Sequence, residues 1–173
     1  LWAQKRWRAE RVMVLDFDAH HGDGTEEILA DRPGVRFLSL FQWPLFPHRR
    51  MEPTPSNAVL SPLPAGAGGE EIRNVVENVW LPEIDKFQPD LMILSAGFDA
   101  HCEERIAQLK AGEMDYACVT RLLVEASFAY CEGRLVSVLE GGYELRSLAR
   151  SVFTHLQGLI RNPLPAETCK DPN

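Results

Sequence analysis

Val12-Met13-Val14-Leu15-Asp16-Phe17-Asp18-Ala19-His20-His21-Gly22-Asp23-Gly24-Thr25 passes within a few residues from apolar side chains to carboxylates, imidazoles and glycines. The apolar half predicts a buried strand. The polar half predicts its C-terminal end, where open parallel sheets keep their sites. In an extended backbone, residues two apart project to the same side, so Asp16, Asp18 and His20 point together. Oxygen and nitrogen donors on one side, with glycines allowing close approach, suit a zinc-like ion. The same residues also fit a capped turn in which Asp23 starts a helix and the histidine pair is solvated.

Downstream, residues 25–30 have helical composition, with Asp23 or Thr25 as N-cap. Pro33-Gly34 makes a turn, and residues 35–40 read as a second strand, which completes a βαβ outline. Residues 43–69, rich in Pro and Gly, read as a long surface loop that carries Phe46 and the run His48-Arg49-Arg50. Residues 70–87 have the apolar spacing of an amphipathic helix, kinked or split by Pro82. A third strand over 91–94 ends in Ser95-Ala96-Gly97-Phe98-Asp99. A polar connector over 101–110 precedes a helix over 113–132, stopped by Gly133. A fourth strand over 134–139 ends in Glu140-Gly141-Gly142-Tyr143, and a last helix spans 145–160. Residues 1–10 read as the tail of a helix that leads into the first strand.

This alternation predicts an α/β fold with a mostly parallel sheet covered on both faces. In such a sheet the polar sets Asp16/Asp18/His20, Asp99 and Tyr143 open on one edge. Their convergence carries more weight than any single motif.

The 173 residues make one domain's worth of chain, with 45% apolar and 25% charged residues. No apolar run approaches the roughly 20 residues that span a bilayer, and no secretory signal is visible. The chain opens with Leu1 and enters its first strand within about a dozen residues, which predicts a piece of a longer protein. A net charge of −7 argues against nucleic-acid binding and is compatible with a cationic substrate. Cys102, Cys118, Cys131 and Cys169 show no C-x-x-C spacing, so reduced thiols in a cytoplasmic protein are expected.

Asp18, His20 and Asp99 would supply three ligands and leave a fourth position open, the pattern of a catalytic rather than a structural zinc site. Asp99 alone could equally cap the following turn. Tyr143, after Gly141 and Gly142, could swing its phenol over the metal and hold a developing oxyanion. Its alternative is an aromatic residue at a helix start, packed on the core.

The ordered segments Asp16-Phe17-Asp18-Ala19-His20-His21-Gly22-Asp23-Gly24-Thr25, Ser95-Ala96-Gly97-Phe98-Asp99-Ala100 and Glu140-Gly141-Gly142-Tyr143 resemble zinc-dependent histone deacetylases. The likeness is greatest to the bacterial histone deacetylase-like and acetylpolyamine amidohydrolases, and it runs from residue 11 to about 160. It implies the three-layer α/β/α sandwich of the arginase–deacetylase type. The chain would form a single domain, the C-terminal portion of a catalytic domain, with the N-terminal part of the fold absent. The implied activity is hydrolysis of an N-acetyl amide, on a lysine peptide or a polyamine, by metal-activated water. Zn2+ would be bound by Asp18, His20 and Asp99, with Tyr143 as oxyanion donor.

The resemblance further implies that Asp16 orients a catalytic histidine. Asp16 would also hold a monovalent cation, usually K+, with Asp18, His20, Ser39 and Leu40. Asp23 would support a second histidine. Phe46 and Ile106 would wall the acyl tunnel and its rim, with Gly141 and Gly142 beside the substrate. No membrane or direct nucleic-acid partner is implied, and an oligomer stays open.

One departure bears on activity. The family's tandem histidine base lies upstream of its Asp-x-Asp-x-His segment, and no such pair precedes Val12. His20-His21 cannot replace it, because His20 is a ligand and its neighbour points away. The isolated chain is therefore expected to be impaired. Arg105 stands where the family often has Pro, and His48-Arg49-Arg50 where relatives carry a glycine-rich turn. A non-catalytic acyl-binding module and an arginase-like manganese hydrolase are the alternative readings.

Overall fold

The computed structural model describes residues 2–48 and 54–160. Arg49 and Arg50, Cys169 and the Pro-rich tail lie outside the described residues. In chain order the elements are α1 (Trp2–Trp7), β1 (Val12–Asp16), α2 (Asp23–Leu29), β2 (Val35–Gln42), β3 (Ala58–Leu63) and α3 (Gly69–Val75). A π-helical turn (Val76–Trp80) leads into α4 (Leu81–Phe87), followed by β4 (Leu91–Ala96), α5 (Glu113–Cys131), β5 (Leu135–Leu139) and α6 (Leu145–Leu159).

The five strands form one parallel sheet in the order β3-β2-β1-β4-β5. The chain therefore starts at the middle strand, runs outward to β3, and returns to the other side of β1. Strand order reverses between β1 and β4, the place where the carboxyl ends of an open α/β sheet leave a crevice. β1 is buried along its whole length, as expected of a central strand covered on both faces. Met13, Leu15 and Phe17 face the main core with Leu38, Leu40, Met92 and Leu94, under α3 to α6. On the other face Val12 and Leu91 pack with Ala9 near α1, and α2 lies over β2. The result is the expected α/β/α layering.

Three local expectations are corrected. The predicted loop over 43–69 contains strand β3. Its sequence hides it because the strand is half-exposed, carries Pro62, and lies at the sheet edge, where a missing N–H is tolerated. The N-cap of α2 is Gly22 rather than Asp23 or Thr25, and Asp23 Oδ1 instead accepts from Gly24 N–H at 2.8 Å. A Cβ at residue 22 would collide with the Asp16 carboxylate, so glycine fits this corner. Cys102 and Cys131 are free thiols as expected, whereas Cys118 is disulfide-bonded. Linear spacing cannot show that pairing, because the approach of two thiols is set by the fold.

Pro82 acts one turn earlier than a simple kink. Ile72, Val76, Trp80 and Ile84 are buried at strict four-residue intervals. Over three such steps an α-helix at 3.6 residues per turn drifts by about 120°. The wider π turn takes up part of that drift, with Leu81 N–H donating to Val76 O just before Pro82. Among the described residues no helix is long and apolar enough to cross a membrane.

Candidate metal centre

Asp18, His20 and Asp99 meet just beyond the carboxyl ends of β1 and β4, at the reversal of strand order. One possible ligand atom from each lies within 4.8 Å of the others. His20 Nδ1 is 2.8 Å from Asp99 Oδ2 and 3.1 Å from Asp18 Oδ1. β1 ends at Asp16, so strand alternation does not aim Asp18 and His20, contrary to the sequence expectation. A ladder of local bonds does it instead: Asp18 N–H donates to Asp16 Oδ1 at 3.1 Å, and His20 N–H to Asp18 Oδ1 at 2.8 Å.

The remaining carboxylate oxygens are held by distant backbone. Ala19 N–H donates to Asp99 Oδ1, and Gly141 N–H to Asp18 Oδ2, both at 2.8 Å. Two glycines make room for this. A Cβ at Gly97 would collide with Asp18, and one at Gly141 would lie 2.5 Å from both Asp18 Oδ2 and Asp99 Oδ2. Sequence reading had Gly141 beside the substrate; its geometry makes it a wall of the ligand set. Gly97 was missed, although its place two residues before Asp99 was visible.

The charges are arranged for a cation. The Asp18 and Asp99 carboxylates, accepting from the His20 ring, draw its pKa up to about 10, against the opposing effect of burial. Burial and the like charge of Asp18 push the fully buried Asp99 carboxyl up, although His20 and Ala19 N–H favour its charged form. Burial also works to raise Asp18, but bonds from His20 and Gly141 hold it low. One fully buried and one largely buried carboxylate and one imidazole nitrogen, pre-aimed at a common point, are a donor set that fits zinc. An exposed side of the set is left for a further ligand, His20 and Asp18 being only partly buried.

Asp16 is buried at the end of β1, paired in register with Ser39. Burial lifts its carboxyl well above the usual range against the Asp18 N–H bond, and Asp18, Glu140 and Asp99 add like charge. It borders a cleft of about 150 Å³ with Ser95, Thr25 and Glu140. The His21 ring turns away from the ligands: it lies 2.8 Å from Glu26 Oε2 and 3.3 Å from Ser39 Oγ, packed on Phe41. The Leu40 side chain is in the main core, so only its backbone could face an ion. Asp23 is outside the cleft, on the first turn of α2.

Tyr143 is 56% exposed, and its phenol is pushed up by burial of part of the ring and by the charges of Asp99 and Asp18. Its alternative reading as a core-packed aromatic does not hold at that exposure. Gly142 before it has φ of 136°, a conformation that side chains rarely adopt. Phe46 is exposed with its ring 6.5 Å from that of His20, and Ile106 is half-exposed on the connector after Asp99. That connector is less polar in place than in sequence, since His101, Ala107 and Leu109 are buried.

The histone deacetylase domain family matches residues 1–159. The chain is 33% identical over 177 residues to "Histone deacetylase 10, chloroplastic" of Oryza sativa subsp. japonica, covering 99% of this chain and 40% of that protein. It is 38% identical over 142 residues to a "Probable deacetylase" of Archaeoglobus fulgidus, covering 79% of this chain and 40% of the other. Among solved structures, the HDA15 HD domain superposes with a TM-score of 0.83 at 28% identity, covering 95% of this chain and 48% of that one. The chain thus spans under half the length of these relatives.

Proposed function

The chain belongs to the histone deacetylase family, and on that premise we propose that it carries the metal-holding part of a zinc-dependent hydrolase of N-acetyl amides. The substrate would be an acetylated lysine peptide or an acetylpolyamine. The observation that carries the reading is the meeting of Asp18, His20 and Asp99 at the strand reversal, their ligand atoms within 4.8 Å. A zinc ion held there would supply Lewis-acid polarisation of the substrate carbonyl and acidify a water molecule toward neutrality.

The chain's own groups supply the rest of the chemistry. Tyr143 keeps its proton at neutral pH as an ordinary phenol does, and burial and the neighbouring carboxylates raise it further. It donates that O–H to the carbonyl oxygen as negative charge grows there. Asp16 accepts from, and orients, an imidazole that removes the proton of the attacking water. Neither His20, facing both ligand carboxylates, nor His21, bonded toward Glu26 and Ser39, is placed to be that base. A missing general base costs roughly 10²–10⁴ in rate, so the 173-residue chain alone is impaired. The buried Asp16, with Ser39 beside it and three carboxylates around it, is also the place for a monovalent cation such as K+.

The test is zinc stoichiometry and turnover of acetyl-lysine peptide and acetylpolyamine, by this chain and by the longer protein that contains it. One zinc per chain, chelator-sensitive turnover in the longer protein and a roughly 10²–10³-fold lower kcat in Tyr143→Phe are expected. A chain that retains no zinc, or a Tyr143→Phe variant with unchanged kcat, removes the reading. Zinc retention without turnover in the longer protein would favour the acyl-binding module instead.

A further inference from the structure

Tyr143 follows two glycines, so neither of its immediate predecessors brings a side chain that could anchor it. Gly141 is held from one side, where Phe98 N–H donates to its carbonyl oxygen at 2.7 Å and its own N–H bonds Asp18. On the other side the anchor is Glu104. Its Oε2 accepts from Tyr143 N–H at 2.8 Å and from Glu144 N–H at 3.1 Å, while Oε1 accepts from Arg105 N–H at 2.9 Å. Burial opposes ionisation of Glu104, but these three backbone donors hold its carboxyl below the usual range. The two N–H groups stand at the approach to α6, a 15-residue helix whose N-terminal end favours a carboxylate.

The segment that carries Glu104 is itself fixed. Gln108 N–H donates to Gln42 Oε1 at 2.7 Å, Lys110 N–H to Ala67 O at 2.8 Å, and Ala111 N–H to Ala100 O at 2.9 Å. Further along α6, Arg150 bonds Glu103 at 2.6 Å and also Glu113. The rigid connector that leaves the ligand Asp99 thus returns, through one carboxylate, to the backbone of the phenol donor.

We infer that Glu104 is a positioning residue: it fixes the backbone of Tyr143, and through it the height and angle of the phenol over Asp18, His20 and Asp99. The inference rests on the reading of Tyr143 as the oxyanion donor, and it goes beyond it by naming what holds that donor in place. Since a displacement of about 1 Å can cost about 10²-fold in rate, Glu104→Ala lowers kcat by about 10–100-fold. The loss is bounded by that of Tyr143→Phe, and KM moves by less than about threefold. Glu104→Gln, which keeps an acceptor for Tyr143 and Glu144, restores part of the rate.

Two measurements decide it. In the longer, zinc-loaded protein, Glu104→Ala is made alone and in the Tyr143→Phe background. The effect is expected to vanish in the second, because both changes act through one group. An equal loss in both backgrounds, or no loss in either, overturns the inference. In the 173-residue chain, amide hydrogen exchange of Tyr143 and Glu144 is expected to quicken by about tenfold or more in Glu104→Ala, at unchanged zinc affinity. Unchanged exchange, or a collapse of zinc affinity, overturns it. A wild-type protein without turnover would defeat the deacetylase reading, and the exchange measurement would still decide the Glu104 clamp.

Discussion

Replacing Gly141 by alanine tests whether the ligand set is as tightly enclosed as the geometry implies. The new Cβ would lie 2.5 Å from Asp18 Oδ2 and 2.5 Å from Asp99 Oδ2. Ordinary carbon–oxygen contacts are about 3.3–3.6 Å, so each oxygen must retreat by about 1 Å. Metal–ligand distances tolerate only about ±0.2 Å. Neither carboxylate is free to comply, because Gly141 N–H holds Asp18 Oδ2 and Ala19 N–H holds Asp99 Oδ1. Overpacking of this kind costs about 1–3 kcal/mol of stability. A loss of zinc affinity of at least about 100-fold, or about 2.7 kcal/mol, is expected. Competition with a chromophoric zinc chelator measures it, and circular dichroism verifies that the variant folds. Gly24→Ala is the control, since a Cβ there meets nothing within 4 Å. A folded Gly141→Ala chain that binds zinc as tightly as the parent would refute the enclosure.

Asp99→Asn keeps an acceptor for Ala19 N–H but removes the buried charge, so zinc should raise the melting temperature of the parent and not of the variant in a thermal-shift assay. His155 gives a pH dependence remote from the metal. It is buried with Nδ1 2.6 Å from Thr120 Oγ1 and Nε2 2.8 Å from Ser137 Oγ, and burial lowers its pKa to about 4 from 6.5. Because the folded value is depressed, the neutral ring contributes full stability above the unfolded pKa. That contribution is lost as pH falls from 6.5 through 4, by up to about 3 kcal/mol. Urea titrations between pH 7 and 4.5 should show this loss in the parent and a flatter profile in His155→Gln, the raised carboxyls of Asp16 and Asp99 being common to both.

The parts of this molecule legible in its sequence are those fixed by neighbours along the chain. β1, β2 and β4 are apolar runs because a parallel sheet buries both faces, while β5 reads as a strand from its β-branched run although it is exposed at the sheet edge. All strands of a parallel sheet end at one edge, and that rule brings Asp18, His20 and Asp99 there together with Asp16, while a capped turn stays open for each segment on sequence alone. β3 escaped because its edge position admits Pro62 and half-exposed residues, which in one dimension look like loop. The strict four-residue spacing of Ile72, Val76, Trp80 and Ile84 was visible, but its consequence, a π turn, depends on the surface it packs against.

What escaped the sequence at the site itself, Gly97 and Glu104 altogether and Gly141 in its place against the ligands, has a common physical cause. Gly97, Gly141 and Glu104 act by proximity across the fold. The first two leave space against Asp18 and Asp99, and the third reaches a backbone N–H that lies 39 residues away. None announces a chemistry: a glycine has no side chain, and an acidic residue in a polar connector resembles any solvated charge. The ligands themselves depend on the two glycines, and Tyr143 on Glu104. The partly buried Asp18 and the buried Asp99 carboxylates, which repel each other, keep their places because Ala19 and Gly141 N–H groups bond them from behind and no Cβ intrudes. The Gly141 that makes this possible is also what leaves Tyr143 without a local anchor, so the enclosure of the metal ligands and the need for Glu104 follow from the same glycine pair.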